Sequence, residues 1–272
     1  MHTSAHSAEG IGARAERELR RLVARYGAGE AEIARAYFER CRTAAHDRVW
    51  LTSQVGRELS RVYQLSALAT QELATLGQGA DRRQYAETVQ KLAEELNHFN
   101  LLGDILEEIS GAPLDYGELR RYDFFEPDPS APFNRENARL AEVNRQIDAE
   151  MAARRPPWAP LVQDQGLLEG GGNGVFYVGS QLRGSPLDER LAAAMRRILD
   201  DEMDHGPRSL AAVPRYVRDD DDLAGVIAYT RLRGDQRLRW RNEQFGYPLS
   251  PARLAAIMAG EIEPLPLYAG AD

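Results

Sequence analysis

Apolar residues recur at helical spacing along most of this chain, and no stretch alternates apolar with polar residues as a half-buried strand would. Two short runs, Ile11 to Tyr26 and Glu30 to Ala45, are separated by Gly27 and Gly29, which predict a break between two helices. A long helix is predicted from Asp47 to Leu76, ending at Gly77-Gln78-Gly79. Asp81 fits the N-cap of the next helix, Arg82 to Ser110, which stops at Gly111 with Pro113 beyond. Prolines then punctuate residues 111–158 around one helical stretch, Asn134 to Ala153. Further helices are predicted from Ala159 to Leu182 and from Leu187 to Val213, with a turn at Gly184-Ser185-Pro186 between them and Pro214 closing the second. The pattern ends with Asp222 to Phe245 and the shorter Ser250 to Ala259.

Two helical hairpins, 47–110 and 159–213, joined by one long crossover, 111–158, give the connectivity of a four-helix bundle with additional N- and C-terminal helices. The expected organisation is a disordered start over residues 1–10 and a single all-α domain over 11–272. Ala, Leu, Arg and Glu dominate and β-branched residues are sparse, which agrees with helices throughout. The net charge of −8, with basic residues scattered among acids, argues against nucleic acid as a partner. A single cysteine, Cys41, excludes an intramolecular disulfide and a Cys-based zinc site, and it reads as an unreactive helix residue. No apolar run is long enough for a membrane span and the start lacks a signal-peptide core, so the expected compartment is the cytoplasm.

Two of the five histidines stand three residues after a glutamate, in Glu95-Leu96-Asn97-His98 and Glu202-Met203-Asp204-His205. On a helix such a pair shares one face, one turn apart, so a carboxylate and an imidazole can hold the same ion from a rigid backbone. Both pairs fall on apolar stripes: Thr88, Leu92, Leu102, Leu106 and Ile109 around the first, Leu191, Met195, Ile198 and Leu199 around the second. Buried carboxylates are expensive unless paired or metal-bound, so matching acids on two helices call for a common explanation.

Folding the second hairpin about Pro186 brings Glu169 level with Glu202. The glycines at 170–172 and 174 then imply close helix packing, a π-bulge or space for a substrate, the other reading being a loop. In the first hairpin Glu58 lies close to the stripe Leu51, Val55, Leu59, Val62, Ala69 and Leu73, and is preferred as the fourth carboxylate over Gln64, which faces away. Asp201 fits either an acceptor that orients a ligand imidazole or a solvated helix face. His46 reads as a capping or surface residue, and the acidic run 219–222 as a helix start.

The set Glu58, Glu95-x-x-His98, Glu169 and Glu202-x-x-His205 resembles the ferritin-like di-iron carboxylate proteins. The resemblance spans 47–213; the glycine run and Pro207, just past the second motif, depart from it. It implies two iron ions, with Mn/Fe or Mn/Mn pairs also accommodated, and activation of O₂ to oxidise a small organic substrate by hydroxylation, N-oxygenation or desaturation. Electrons would come from an external donor; a homodimer is left open. The alternatives are a ferroxidase or manganese-type peroxide-handling protein, and a metal-free helical interaction protein whose buried acids pair with arginines.

Overall fold

The computed structural model describes residues 10–79, 81–163, 166–203 and 209–265, the side chains of 166–172 excepted. Among these residues the regular elements are helices, with no β-strand. They are α1 (Ile11–Phe38), α2 (Ala44–Ala74), α3 (Arg82–Ser110), α4 (Tyr116–Arg120), α5 (Arg135–Arg154), α6 (Ala159–Gln163), α7 (Gly166–Gly179), α8 (Pro186–Glu202), α9 (Val213–Tyr216), α10 (Asp220–Gln244) and α11 (Pro251–Met258). None is long and apolar enough to cross a membrane. The start expected to be disordered (through residue 9), Pro207 and the tail beyond 265 lie outside the described residues.

Local chemistry sets most boundaries. Thr43 and His46 form a reciprocal capping box at the start of α2, with His46 N–H donating to Thr43 Oγ1 and Thr43 N–H to His46 Nδ1. The Asp81 side chain accepts from Arg83 N–H to open α3, and Gly111, at φ 64°, closes it in the left-handed region. Ser185 caps α8 ahead of Pro186, and Asp219 caps α10, whose first turn carries Asp220 to Asp222.

Three expectations change. Gly27 and Gly29 do not break the chain; α1 runs through both. The reason is a close crossing: α1 packs along α7, and a Cβ on Gly174 would collide with the Gly27 carbonyl and come within 2.8 Å of the Ala31 nitrogen. Residues Gly27 to Ala31 are all buried there. The glycine-rich stretch after 169 is helix, the main expectation, and not the alternative loop. A helical glycine costs about 1 kcal/mol in propensity, and at Gly174 the close backbone approach to α1 is what it permits. Second, α8 ends at Glu202, and Pro214 sits in the first turn of α9, where a missing N–H costs nothing, instead of closing a continuous helix. Third, Cys41 is exposed and lies in the α1–α2 connection, outside any helix.

Helices α2 and α3 pack as one hairpin, α7 and α8 as another, and α3 touches α8. Their shared core includes Trp50, Leu51, Val55, Phe99, Leu102, Leu191, Met195 and Ile198. The crossover helix α5 packs against α10, and with the first half of α1 these build a second apolar cluster around Leu19, Ile147, Trp158 and Val226. Toward its C-terminus α2 departs from the predicted stripe: Leu73 is exposed, while Glu72 is buried and accepts from Gln84 Nε2 at 2.7 Å.

Replacing Gly174 by Ala is expected to lower stability by about 2 kcal/mol, because backbone rather than a flexible side chain blocks the new methyl. Chemical denaturation would measure it. An unchanged midpoint would mean that α1 and α7 do not cross at this glycine.

Candidate metal centre

Glu58 on α2 meets Glu95 and His98 on α3 between the packed helices; all three are buried, and one ligand atom from each lies within 4.8 Å of the others. This group could hold a metal ion. Helix α8 closes the site from the other side: Asp201 Oδ2 lies 3.2 Å from His98 Nε2, and Glu202 Oε1 lies 4.0 Å from His98 Nδ1. Asp201 therefore fixes the His98 imidazole, while its second oxygen pairs with Arg197 at 3.0 Å.

With Nε2 engaged, His98 Nδ1 is the free ring nitrogen, and it is buried without a hydrogen-bond partner. Glu95 Oε2, at 3.8 Å, is near enough for electrostatics but too far for a hydrogen bond. A buried imidazole nitrogen aimed among carboxylates, with its opposite nitrogen held by an acid, has the form of a metal-ligand histidine with its orienting partner. Carboxylate oxygens and one imidazole suit iron or manganese and do not distinguish them.

Glu58 and His98 shift each other's proton affinity. Burial and the neighbouring charge of Glu95 raise the Glu58 carboxyl to about 7, against the opposing effects of His98 and a hydrogen bond from Gln54 Nε2 at 2.6 Å. Burial alone would lower His98, but Glu95 together with the charges of Glu58 and Glu202 outweighs it and holds the imidazole at about 9.

A cavity of about 70 Å³ adjoins the cluster. It is lined by Glu58, Glu95 and Glu202, by Asn173 and Phe176 from α7, by Phe124 from the crossover, and by four arginines. Of these, Arg57 and Arg61 belong to α2, Arg237 and Arg241 to α10. Arg61 Nε lies 3.7 Å from Glu95. A buried polar chain leads in from α1: Glu30 pairs with Arg237 at 2.6 Å and Arg241 at 3.1 Å, Arg241 Nη1 donates to Gln54 at 2.7 Å, and Gln54 donates to Glu58.

Of the residues singled out from sequence, Glu58, Glu95, His98 and Glu202 converge here, joined by Asp201 in an orienting role. Gln64 is exposed and accepts a hydrogen bond from Arg61, away from the cluster. His205 and the side chain of Glu169 lie outside the described residues. Sequence reasoning missed Gln54, Arg57 and the α10 arginines. The signal for the first two was the polar row Gln54, Arg57, Glu58, Arg61, whose i, i+3, i+4, i+7 spacing puts four polar groups on one face. Compared with known protein families, curated proteins and solved structures, the chain matches none.

The proton balance sets the pH dependence of both metal binding and stability, and Asp201 supplies a third test. Metal binding must displace protons from Glu58 and His98, so apparent affinity for Mn²⁺ should rise at least about tenfold between about pH 6 and about pH 8. In the metal-free protein both groups hold protons more tightly folded than unfolded, so their contribution to stability declines as pH rises through about 7 and then about 9. Metal titrations and melting curves across this range check both signs; affinity that is flat or falls with pH would contradict them. Asp201→Asn should weaken metal binding by about 10- to 100-fold while leaving the fold intact, measured by competition with a chelator.

Proposed function

We propose that this chain is a ferritin-like, non-haem di-iron oxygenase that uses O₂ to oxidise a small organic molecule. The observation that carries the reading is His98 Nδ1: a buried, unpartnered ligand atom beside Glu58, Glu95 and Glu202, on a ring held from behind by Asp201. Glu58, Glu95 and His98 would hold one ion, and Glu202, with Glu169 and His205 by the same pattern, the second. A pair of ferrous ions so held would supply the electrons that activate O₂.

The protein's own groups supply the surroundings. Asp201 keeps His98 in one orientation, and Gln54 fixes one oxygen of Glu58. Phe124 and Phe176 give the cavity apolar wall, limiting water at the reacting centre. The elements outside the four bundle helices also favour a substrate-handling enzyme over iron storage: the crossover contributes Phe124, and α10 contributes Arg237 and Arg241. Oxygenase turnover then needs an external reductant.

One observation favours a metal-free interaction protein instead: Arg61 stands 3.7 Å from Glu95, the kind of acid–arginine pairing that reading requires. It leaves His98 Nδ1 unexplained. The readings separate on anaerobic reconstitution with ferrous iron, followed by exposure to O₂. The oxygenase reading expects about two irons per chain and rapid O₂ uptake, both lost in a Glu95→Gln, His98→Ala variant. Wild-type protein that takes up no iron and consumes no O₂ would overturn it.

A further inference from the structure

Arg57 lines the cavity beside the metal cluster, yet its side chain has no ion-pair partner among the described residues. It is 7% exposed, and its one hydrogen bond runs from Nη1 to the neutral Asn137 Oδ1 at 2.9 Å. Two aromatic rings clamp the guanidinium, Trp240 at 3.7 Å and Phe124 at 4.3 Å from their centroids. The clamp holds the cation in place, and its only hydrogen bond among the described residues goes to a neutral amide oxygen.

The charges around it make the imbalance larger. Arg237 and Arg241 share a single carboxylate, Glu30. Glu58 is committed to the cluster. Once metal neutralises the acids, the cavity retains a buried surplus of positive charge, which is costly unless an anion fills it.

We propose that the cavity binds the carboxylate group of an organic-acid substrate, seated on Arg57 and flanked by Arg237. This deepens the di-metal reading and rests on it. A planar carboxylate matches the forked face of a guanidinium with two parallel hydrogen bonds. The cavity, about 70 Å³ and open on one side, has room for such a head group.

Isothermal titration with acetate, its neutral isostere acetamide and inorganic phosphate tests this, on metal-free and Mn²⁺-loaded protein, with manganese content measured for each sample. Acetate is expected to bind the loaded protein saturably and acetamide not to bind. Arg57→Gln should weaken acetate by about tenfold or more at unchanged manganese content. Arg57→Lys, which keeps the charge, should retain part of the affinity and guards against misfolding in the first variant. Equal binding of acetamide, unchanged acetate binding in Arg57→Gln, or tighter binding of phosphate than acetate would overturn the proposal. Manganese uptake without acetate binding overturns it while leaving the metal centre standing. Failure to take up manganese instead removes the metal centre; the acetate arm on metal-free protein then decides Arg57 separately.

Discussion

Everything near the centre of this molecule answers to one constraint: two carboxylates, Glu58 and Glu95, are buried against an imidazole between packed helices. Such groups cost several kcal/mol each unless they are paired, protonated or bound to a cation. The surrounding protein goes only part of the way. Gln54 serves one oxygen of Glu58, Arg61 approaches Glu95 loosely, and Asp201 holds the far side of His98. His98 Nδ1 makes no hydrogen bond and faces only the more distant Glu95 and Glu202 carboxylates. A core built only for stability would have filled these positions with apolar side chains; a core that receives a cation has reason to keep them.

Helix packing and charge are joined on α1. Gly27 lies where α1 crosses Gly174 of α7, and three residues later Glu30 reaches into the interior to hold Arg237 and Arg241. The close crossing lets α1 sit deep enough for Glu30 to be almost wholly buried. From Glu30 the polar chain runs through Arg241 and Gln54 to Glu58, so the placement of that carboxylate depends on α1 as well as on α2 and α3. Hydrogen-bonded networks of this kind order the groups they contain, and each member is expensive to remove alone.

Much of this was legible in the sequence, and the reasons for the gaps are physical. The bounds of α3 could be read to the residue, because Asp81 and Gly111 are a strong cap and a left-handed stop. Glu95, His98 and Glu202 showed themselves as polar residues on apolar stripes, and Glu58 as the acid nearest its stripe. Gly27 and Gly29 misled because glycine weakens an isolated helix, and only the neighbouring backbone of α7 reveals the use they serve. The exposure of Leu73 was equally hidden, since periodicity cannot tell where a helix outruns its partners. The arginines of α10 escaped notice because that helix is polar on several faces, so no single stripe marks its buried side. Their role depends on Glu30, about two hundred residues earlier in the chain, a pairing that one sequence does not announce.

The central claim is that the Glu58, Glu95 and His98 group exists to hold metal, and locating the ion tests it most directly. Crystals grown with Mn²⁺ and measured for anomalous scattering should show a peak within ligand distance of Glu58, Glu95 and His98 Nδ1. A second peak is expected roughly 3.5–4 Å away, on the Glu202 side, as in two-metal sites generally. A map without density between these side chains, in which Glu58 and Glu95 share a proton and His98 Nδ1 bonds to water, would contradict the account.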